Sequence, residues 1–390
     1  MSNEKPSNDF VSASTALLPL IRESRSEMES QRRLSEAVVR GMDDAGIFKA
    51  YYPKSLGGLE VDPLTFMEVV EEISRADSSA GWCAMITGDA GNLAGRLEHK
   101  VAAKLFGQPA DVRIAGSVIP RGEAHQVDGG FRISGHFTFA SGIDYANWLV
   151  CHSIVFGDNG PKMTDEGVPQ TVIAFLPKEE ADLRETWTAA GMCATGSHDF
   201  HLHGIFVPRE RTLRLADQPE ETGPLFNPRT LLIFFWGPFA TCLLGIGRGA
   251  MDTFLESVAS SGSNMSPTPI RDRPNVHAAV GNAEAALSSA RAYLYDAIGS
   301  AWQVARDGGP NLGQVIAQAR LAVANASRES TKAVDLLFEA AGTTAVYPSH
   351  PMERYHRDIH VATKHLGGNA SNFDMAGQVL LGLKPPGPGW

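Results

Sequence analysis

The sequence predicts an α+β fold in three parts: an N-terminal helical domain over residues 1–110, a middle antiparallel β domain over 111–222, and a C-terminal four-helix bundle over 223–390. Three observations carry this. Apolar residues first recur at helical spacing; near Asp111 the period drops to two; from Leu231 the helical period returns in long segments.

In the first part, SEMESQRRLSEAVVRGMDDAGIF has the helical pattern, and Asp62-Pro63 opens LTFMEVVEEISRAD with a helix start signal. The next run, SSAGWCAMITGDAGNLAGRL, is rich in small residues, which allow close approach of a helix or a ligand. Trp82 therefore either faces a cavity or packs in a tight core. In the middle part VRIAGSVIP, HQVDGGFRISGHFTF with its Asp128-Gly129-Gly130 turn, NWLVCHSIVFG, QTVIAFLP, LRETWTAA and DFHLHGIFVP read as strands between turn residues. The charged run from Pro208 to Pro224 reads as the exit connection. The bundle comprises helices expected at Leu231–Ser260, Val276–Arg306 and Leu312–Ala341, with a further helix from Pro351 to Leu366 that Gly367-Gly368 stops.

Charge and composition exclude several roles. With 390 residues, a formal charge of −10 and a pI near 5.7, the chain has no basic excess for nucleic acid or an anionic membrane. Cys83, Cys151, Cys193 and Cys242 are scattered without a CxxC, which argues against a disulfide framework or a structural metal and fits a reducing cytoplasm. MSNEKPSNDF lacks the pattern of a secretion signal. The uncharged run TLLIFFWGPFATCLLGIG reaches the length of a membrane span, but Gly237-Pro238 interrupts it and a central helix of a large bundle has the same composition.

The densest run of ionisable groups is PMERYHRDIHVATKHLGGN, from Pro351 to Asn369. At about 100° per residue His356 and His360 share a face and His365 lies opposite His356, so spacing brings together only one histidine pair and no metal site is expected. Asp358, Val361, Ala362 and His365 fall on one face, and the Arg357-Asp358 pair is expected to bind neighbouring elements. Gly245-Ile246-Gly247-Arg248-Gly249-Ala250 matches a dinucleotide-binding pattern, with Asp272 near the distance of a ribose acid, but no second strand follows and the match is set aside.

The order of the three parts, together with WTAAGMCATGSHDFHLHGIFVP and AAGTTAVYPSHPMERYHRDIH, resembles the acyl-CoA dehydrogenase superfamily over nearly the whole chain. The resemblance implies that fold. It matches the flavin motif GxKxWITN to Gly135–Gly142, so that Phe139 flanks the flavin ring and Ser141 bonds flavin N5, and it adds cofactor contacts at Ile119 and at Gly342 in EAAG, where the usual glutamine is missing. A dehydrogenase also needs a carboxylate base. Its usual place reads KHLGG, and the alternative place, between Gly223 and Met251, holds no Asp or Glu.

With His365 at that place, AGSVIPRGEAHQVDGGFRISGHFTFASGIDYANW and RDIHVATKH resemble the oxygenase components of two-component flavin-dependent monooxygenases. That resemblance implies reduced flavin, FADH2 or FMNH2, delivered by a separate NAD(P)H-dependent flavin reductase, and reaction with O2 through a C4a-(hydro)peroxyflavin beside His365. A histidine titrating near neutrality suits a group that must keep its proton. The other readings are an acyl-CoA dehydrogenase with an atypical base and a non-catalytic flavin-binding member. Phenol-hydroxylating relatives place a histidine after the residue matching Trp82, and none occurs here through Asn92. Asp89 or Asn92 would then bind an N–H or hydroxyl of an electron-rich ring, an indole type such as indole or indole-acetate, or a phenol. Ser197 and His198 in ATGSHDF are pocket candidates, as turn or outward strand positions are the alternative. A cytoplasmic homotetramer is expected, with the apolar Leu231–Ile246 run buried between subunits.

Overall fold

A computed structural model describes residues 5–107, 111–260, 268–309 and 312–383. The expected end of the first domain, at residue 110, lies outside these residues. The N-terminal part comprises α1 (Lys5–Ala16), α2 (Leu18–Gln31), α3 (Glu36–Asp44), α4 (Pro63–Ala76), α5 (Ser78–Ala94) and α6 (His99–Phe106). Caps set its central joint. Asp62 accepts the N–H groups of Leu64 and Thr65 to start α4, and Asp77 accepts from Ala80 to start α5.

The middle part is an 8-stranded sheet of β1 (Ile114–Val127), β2 (Gly130–Ala140), β3 (Trp148–Gly157), β4 (Gly160–Pro161), β5 (Thr171–Pro177), β6 (Asp182–Arg184), β7 (His198–Pro208) and β8 (Thr212–Leu213), in the order β6-β7-β2-β1-β3-β5-β8 with β4 on β3. It is not wholly antiparallel. β2 returns beside the start of β1, residues 141–147 cross to the far side of β1, and β3 therefore begins with Trp148 opposite Ile114 and runs parallel to it. VRIAGSVIP and HQV form one strand whose pairing shifts between Ser117 and Gly122, while LRETWTAA is strand only at its start.

The C-terminal part holds α7 (Leu231–Ser260), α8 (Pro274–Asp307), α9 (Leu312–Ala341) and α10 (Pro351–Ala362), with α11 (Ser371–Leu380) added. The apolar run of α7 is not an intersubunit surface: Phe234, Phe239, Leu243 and Ile246 are fully buried within the chain. Nor is its glycine motif a phosphate loop. Gly245 and Gly249 sit mid-helix, where a Cβ would collide with the Glu71 carbonyl oxygen and approach the Arg75 carbonyl oxygen to 2.8 Å, so they serve the close α4–α7 contact. One continuous core joins residues of α1–α5 to those of α7–α10, whereas the interior of the sheet forms a separate cluster around Phe137, Phe200 and Leu149.

A candidate active site at the helix–sheet junction

The α5 side chains Trp82, Ile86 and Ala90, spaced i, i+4, i+8, are half-buried on one stripe while most of the helix is buried. Trp82 faces the end of β2. Its Nε1–H donates to Ser141 Oγ at 3.0 Å, Ser141 Oγ lies 2.7 Å from Ser197 Oγ, and Ser197 Oγ lies 2.6 Å from Thr195 Oγ1. Thr195 donates to the Met192 carbonyl at 2.9 Å. A carbonyl can only accept, and each hydroxyl has one proton, so the direction is fixed along the row. Thr195 accepts from Ser197, Ser197 accepts from Ser141, and Ser141 accepts from Trp82. Ser141 has thus spent its proton and keeps one lone pair free.

The far end of this row is anchored. The Met192 carbonyl also accepts from Trp187 Nε1 at 2.9 Å, and the Met192 N–H donates to Asp358 Oδ1 at 2.6 Å. Asp358 is buried, and burial pushes its carboxyl up to about 6 against the opposing pull of Arg354. Arg357 binds Glu29 and Glu353. The Arg-Asp pair of α10 therefore does tie neighbouring elements together.

His365 is not on the α10 helix. The helix ends at Ala362, where Thr363 Oγ1 bonds back to the Ile359 carbonyl, and His365 takes an extended conformation (φ −63°, ψ 148°) as the cap of the 3-10 turn Leu366–Gly368. The loop is steered by packing: a Cβ on Gly367 would stand 2.8 Å from the Phe239 ring. The imidazole lies 4.6 Å from Phe239 and edge-on to Trp82 at 5.5 Å, between ring centroids. Burial among these rings pushes its pKa down to about 4, so the expectation of titration near neutrality is corrected: the ring is neutral at pH 7. Nδ1 accepts the Gly367 N–H at 3.2 Å, which puts the proton on Nε2, a donor without a partner among the described residues.

The other expected residues divide. Phe139 stands 59% exposed at φ 62°, on a bulge where β2 and β7 lose register between Phe137 and Ala140. Ile119 is exposed on the adjacent unpaired stretch of β1, which an Arg121–Thr138 hydrogen bond of 3.2 Å holds beside β2. Asp89, two helical turns and about 10 Å along α5 from Trp82, is buried with no hydrogen bond or ion pair among the described residues, and burial raises its carboxyl well above the usual range. Asn92 is not a pocket residue, since it is fully buried and donates to the Leu225 carbonyl. His198 is turned away from Ser141: Nδ1 accepts the Trp187 N–H, and Nε2 faces Asp144 at 4.0 Å. Gly342 ends α9 at φ 79° in open space, with no contact to the hydroxyl row.

The acyl-CoA dehydrogenase N-terminal domain family matches residues 13–95, and the acyl-CoA dehydrogenase C-terminal domain family matches residues 238–370. The chain is 33% identical over 365 residues to the indole-3-acetate monooxygenase of Pseudomonas putida, covering 93% of this chain and 91% of that protein. It belongs to the acyl-CoA dehydrogenase superfamily, in its flavin-dependent monooxygenase branch. The oxygenase subunit HsaA of Rhodococcus jostii is 27% identical, covering 94% of this chain and 97% of that subunit. The fold is that of XiaF from Streptomyces sp., solved in complex with FADH2 and glycerol, at TM-score 0.87, 24% identity and coverage of 98% and 97%.

As a monooxygenase of this branch the chain uses flavin and O2, and its residues fit the cofactor. Val118, Ile119 and Phe139 are exposed apolar side chains where β1 and β2 stop pairing, an arrangement that favours a flat ring as cover. Near Phe139 in sequence, Ser141 offers its free lone pair. Thr195, Trp187 and Phe239 were missed by sequence reasoning. Thr195 could have been found as the hydroxyl two residues before Ser197, but Phe239 is one aromatic in an all-apolar helix and carries no signal of its own.

Proposed function

We propose that this monooxygenase is the oxygenase component of a two-component system and hydroxylates an electron-rich ring of the indole type, indole or indole-acetate, within a wider class that includes phenols. The observation that carries the reading is the direction of the hydroxyl row. N5 of reduced flavin bears an N–H, whereas N5 of oxidised flavin bears only a lone pair, so a Ser141 that can accept but not donate matches the reduced form. Bound reduced flavin supplies the electrons that activate O2; one oxygen atom goes to the ring and the other leaves as water.

In this reading Ile119 and Phe139 flank the flavin ring and Ser141 holds its N5 edge. Trp82 and Phe239 exclude water, and His365 donates its Nε2–H toward the reacting oxygen without giving up a full proton. Ser197 acts by orienting Ser141, and His198 by fixing the Trp187 backbone. Asp89, whose carboxyl is pushed up by burial, receives the substrate N–H about 10 Å along α5 from Trp82. Gly342 leaves room for the cofactor at the end of α9. The partners are an NAD(P)H-dependent flavin reductase and three further copies of the chain. The burial of α7 moves the basis for a homotetramer to the exposed Val346, Tyr347, Leu380 and Leu381. Four buried free cysteines fit a cytoplasmic setting.

The test is to mix the reduced-flavin complex with oxygenated buffer and indole-acetate, with and without a flavin reductase for turnover. Hydroxylated product bearing one atom of labelled O2 is expected. Flavin reduction by an acyl-CoA without any reductase would overturn the reading in favour of a dehydrogenase. Light scattering should give a tetramer, and a monomer at micromolar concentration would refute that assembly.

A further inference from the structure

Spacing along α10 brings together only His356 and His360, but the fold adds a third donor from another helix. Asp335 of α9 places Oδ1 2.8 Å from His360 Nε2 and 3.5 Å from His356 Nε2, and the three donor atoms all lie within 4.8 Å of one another. For a zinc-class ion with bonds of about 2.0–2.1 Å, tetrahedral geometry requires donors about 3.3 Å apart. The Asp335–His356 separation already meets this, and the Asp335–His360 separation reaches it by opening about half an ångström, from a hydrogen bond to shared ligation.

Two further features favour ligation over a plain hydrogen bond. His356 is stacked on Phe338 with ring centroids 4.1 Å apart and planes 20° apart, which holds its orientation. The three side chains are 36%, 41% and 45% exposed, which leaves a fourth position open to water and the site accessible from solvent. The cysteines are all buried and do not compete.

We propose that Asp335, His356 and His360 form a binding site for a divalent transition-metal ion of the zinc class, with water as the fourth ligand, bridging α9 to α10. A two-nitrogen, one-carboxylate set without thiolate suits Zn(II) or Co(II) and disfavours Cu(I) or the hard alkaline-earth ions. The ion clamps α10 near its C-terminal end, shortly before the chain turns to His365. The site is independent of the oxygenase reading, since none of its three side chains belongs to the hydroxyl row or its aromatic cover.

The experiment titrates the metal-free full-length protein with Zn(II), by calorimetry and by thermal melting, and with Co(II) as an absorbance probe of tetrahedral geometry. One ion per chain, a raised melting temperature and the intense visible bands of tetrahedral Co(II) are expected. Asp335→Asn, His356→Gln and His360→Gln should each weaken Zn(II) binding by more than the 10–100-fold that loss of a mere supporting group costs. His201→Gln, in the separate histidine stack with His136 on the sheet, should bind as the wild type does. Equal affinity in wild type and Asp335→Asn would overturn the site, as would a stoichiometry well below one. If either histidine variant fails to fold, Asp335→Asn alone decides, because it retains the side-chain shape and removes only the anionic ligand.

Discussion

Ser197→Ala tests the hydroxyl row where its consequence is most specific. In the wild type the Ser141 proton is held by Ser197 at 2.7 Å, and the Ser197 proton by Thr195 at 2.6 Å. Alanine removes the acceptor, so the Ser141 hydroxyl is free to rotate and donate. Thr195 keeps its bond to the Met192 carbonyl, and the loss of one oxygen leaves no large cavity. Each neutral hydrogen bond is worth about 1 kcal/mol. Reduced flavin should therefore bind about 1 kcal/mol more weakly and oxidised flavin about 1 kcal/mol more tightly, which narrows the preference by about 2 kcal/mol, or roughly 30-fold. For a two-electron couple this lowers the midpoint potential of the bound flavin by about 40 mV. Anaerobic titration with each form and potentiometry of the complex measure both quantities. An unchanged affinity ratio, or a shift to higher potential, would refute the direction assigned to the row.

Replacing His365 with Ala should leave oxygen uptake running while hydroxylated product falls by about 10²-fold, the cost of one preorganised donor; product and peroxide assays measure it, with His203→Ala as control. The same side chain makes a pH prediction. Its folded pKa of about 4 lies below the unfolded value near 6.5, so the unfolded chain binds the extra proton and the contribution to stability, present above pH 6.5, is lost as pH falls toward 4, by at most about 3 kcal/mol. Chemical denaturation of wild type and His365→Asn at pH 7 and pH 4.5 should show that difference, and an activity inflection at pH 6.5 that vanishes in the variant would contradict a neutral ring. Asp89→Asn should raise KM for an indole with little effect on kcat, and should stabilise the apo protein above pH 4, because the wild-type carboxyl is raised in the fold and stability falls as pH rises past its unfolded value. Gly245→Ala should cost about 1–3 kcal/mol or more in urea unfolding, since the Glu71 carbonyl cannot rotate away from the added methyl.

The helices of the bundle were legible because a long period is hard to mimic: α7 and α9 run over the residues that the apolar pattern indicated. The parallel β1–β3 pair was not legible, since strand direction depends on which side of β1 the 141–147 connection crosses, and the alternation of the strands is the same either way. Ser141 was named through register with the flavin motif and Ser197 as a pocket candidate in ATGSHDF, but the direction of their bonds depends on Thr195 and a single carbonyl and is a property of the fold. His365 was singled out because it stands where the resemblance places the dehydrogenase base and no Asp or Glu occupies the alternative stretch between Gly223 and Met251. Its placement beyond the helix was not legible, because the stop was read at Gly367-Gly368 and the turn that begins at Thr363 is set by contact with Phe239. Asp335 became a neighbour of His356 only through the packing of α9 on α10, which no spacing within one helix reveals.

The shared core of the two helical parts has a consequence for how the chain is made. Side chains of α4 and α5 are completed by those of α7, which follow the entire sheet in sequence, so the leading helices emerge from the ribosome with their inner faces uncovered. The sheet, with its own interior, can close as soon as residue 213 has been synthesised. In topological terms it is an insertion in one helical body. Severing the chain after the sheet should therefore leave the N-terminal fragment with its helices exposed for association, whereas exchanging residues 114–213 for a related sheet would disturb the seam that carries the site and a second one, where Ile114, Ile173 and Phe175 pack with Tyr52, Leu97 and Phe106.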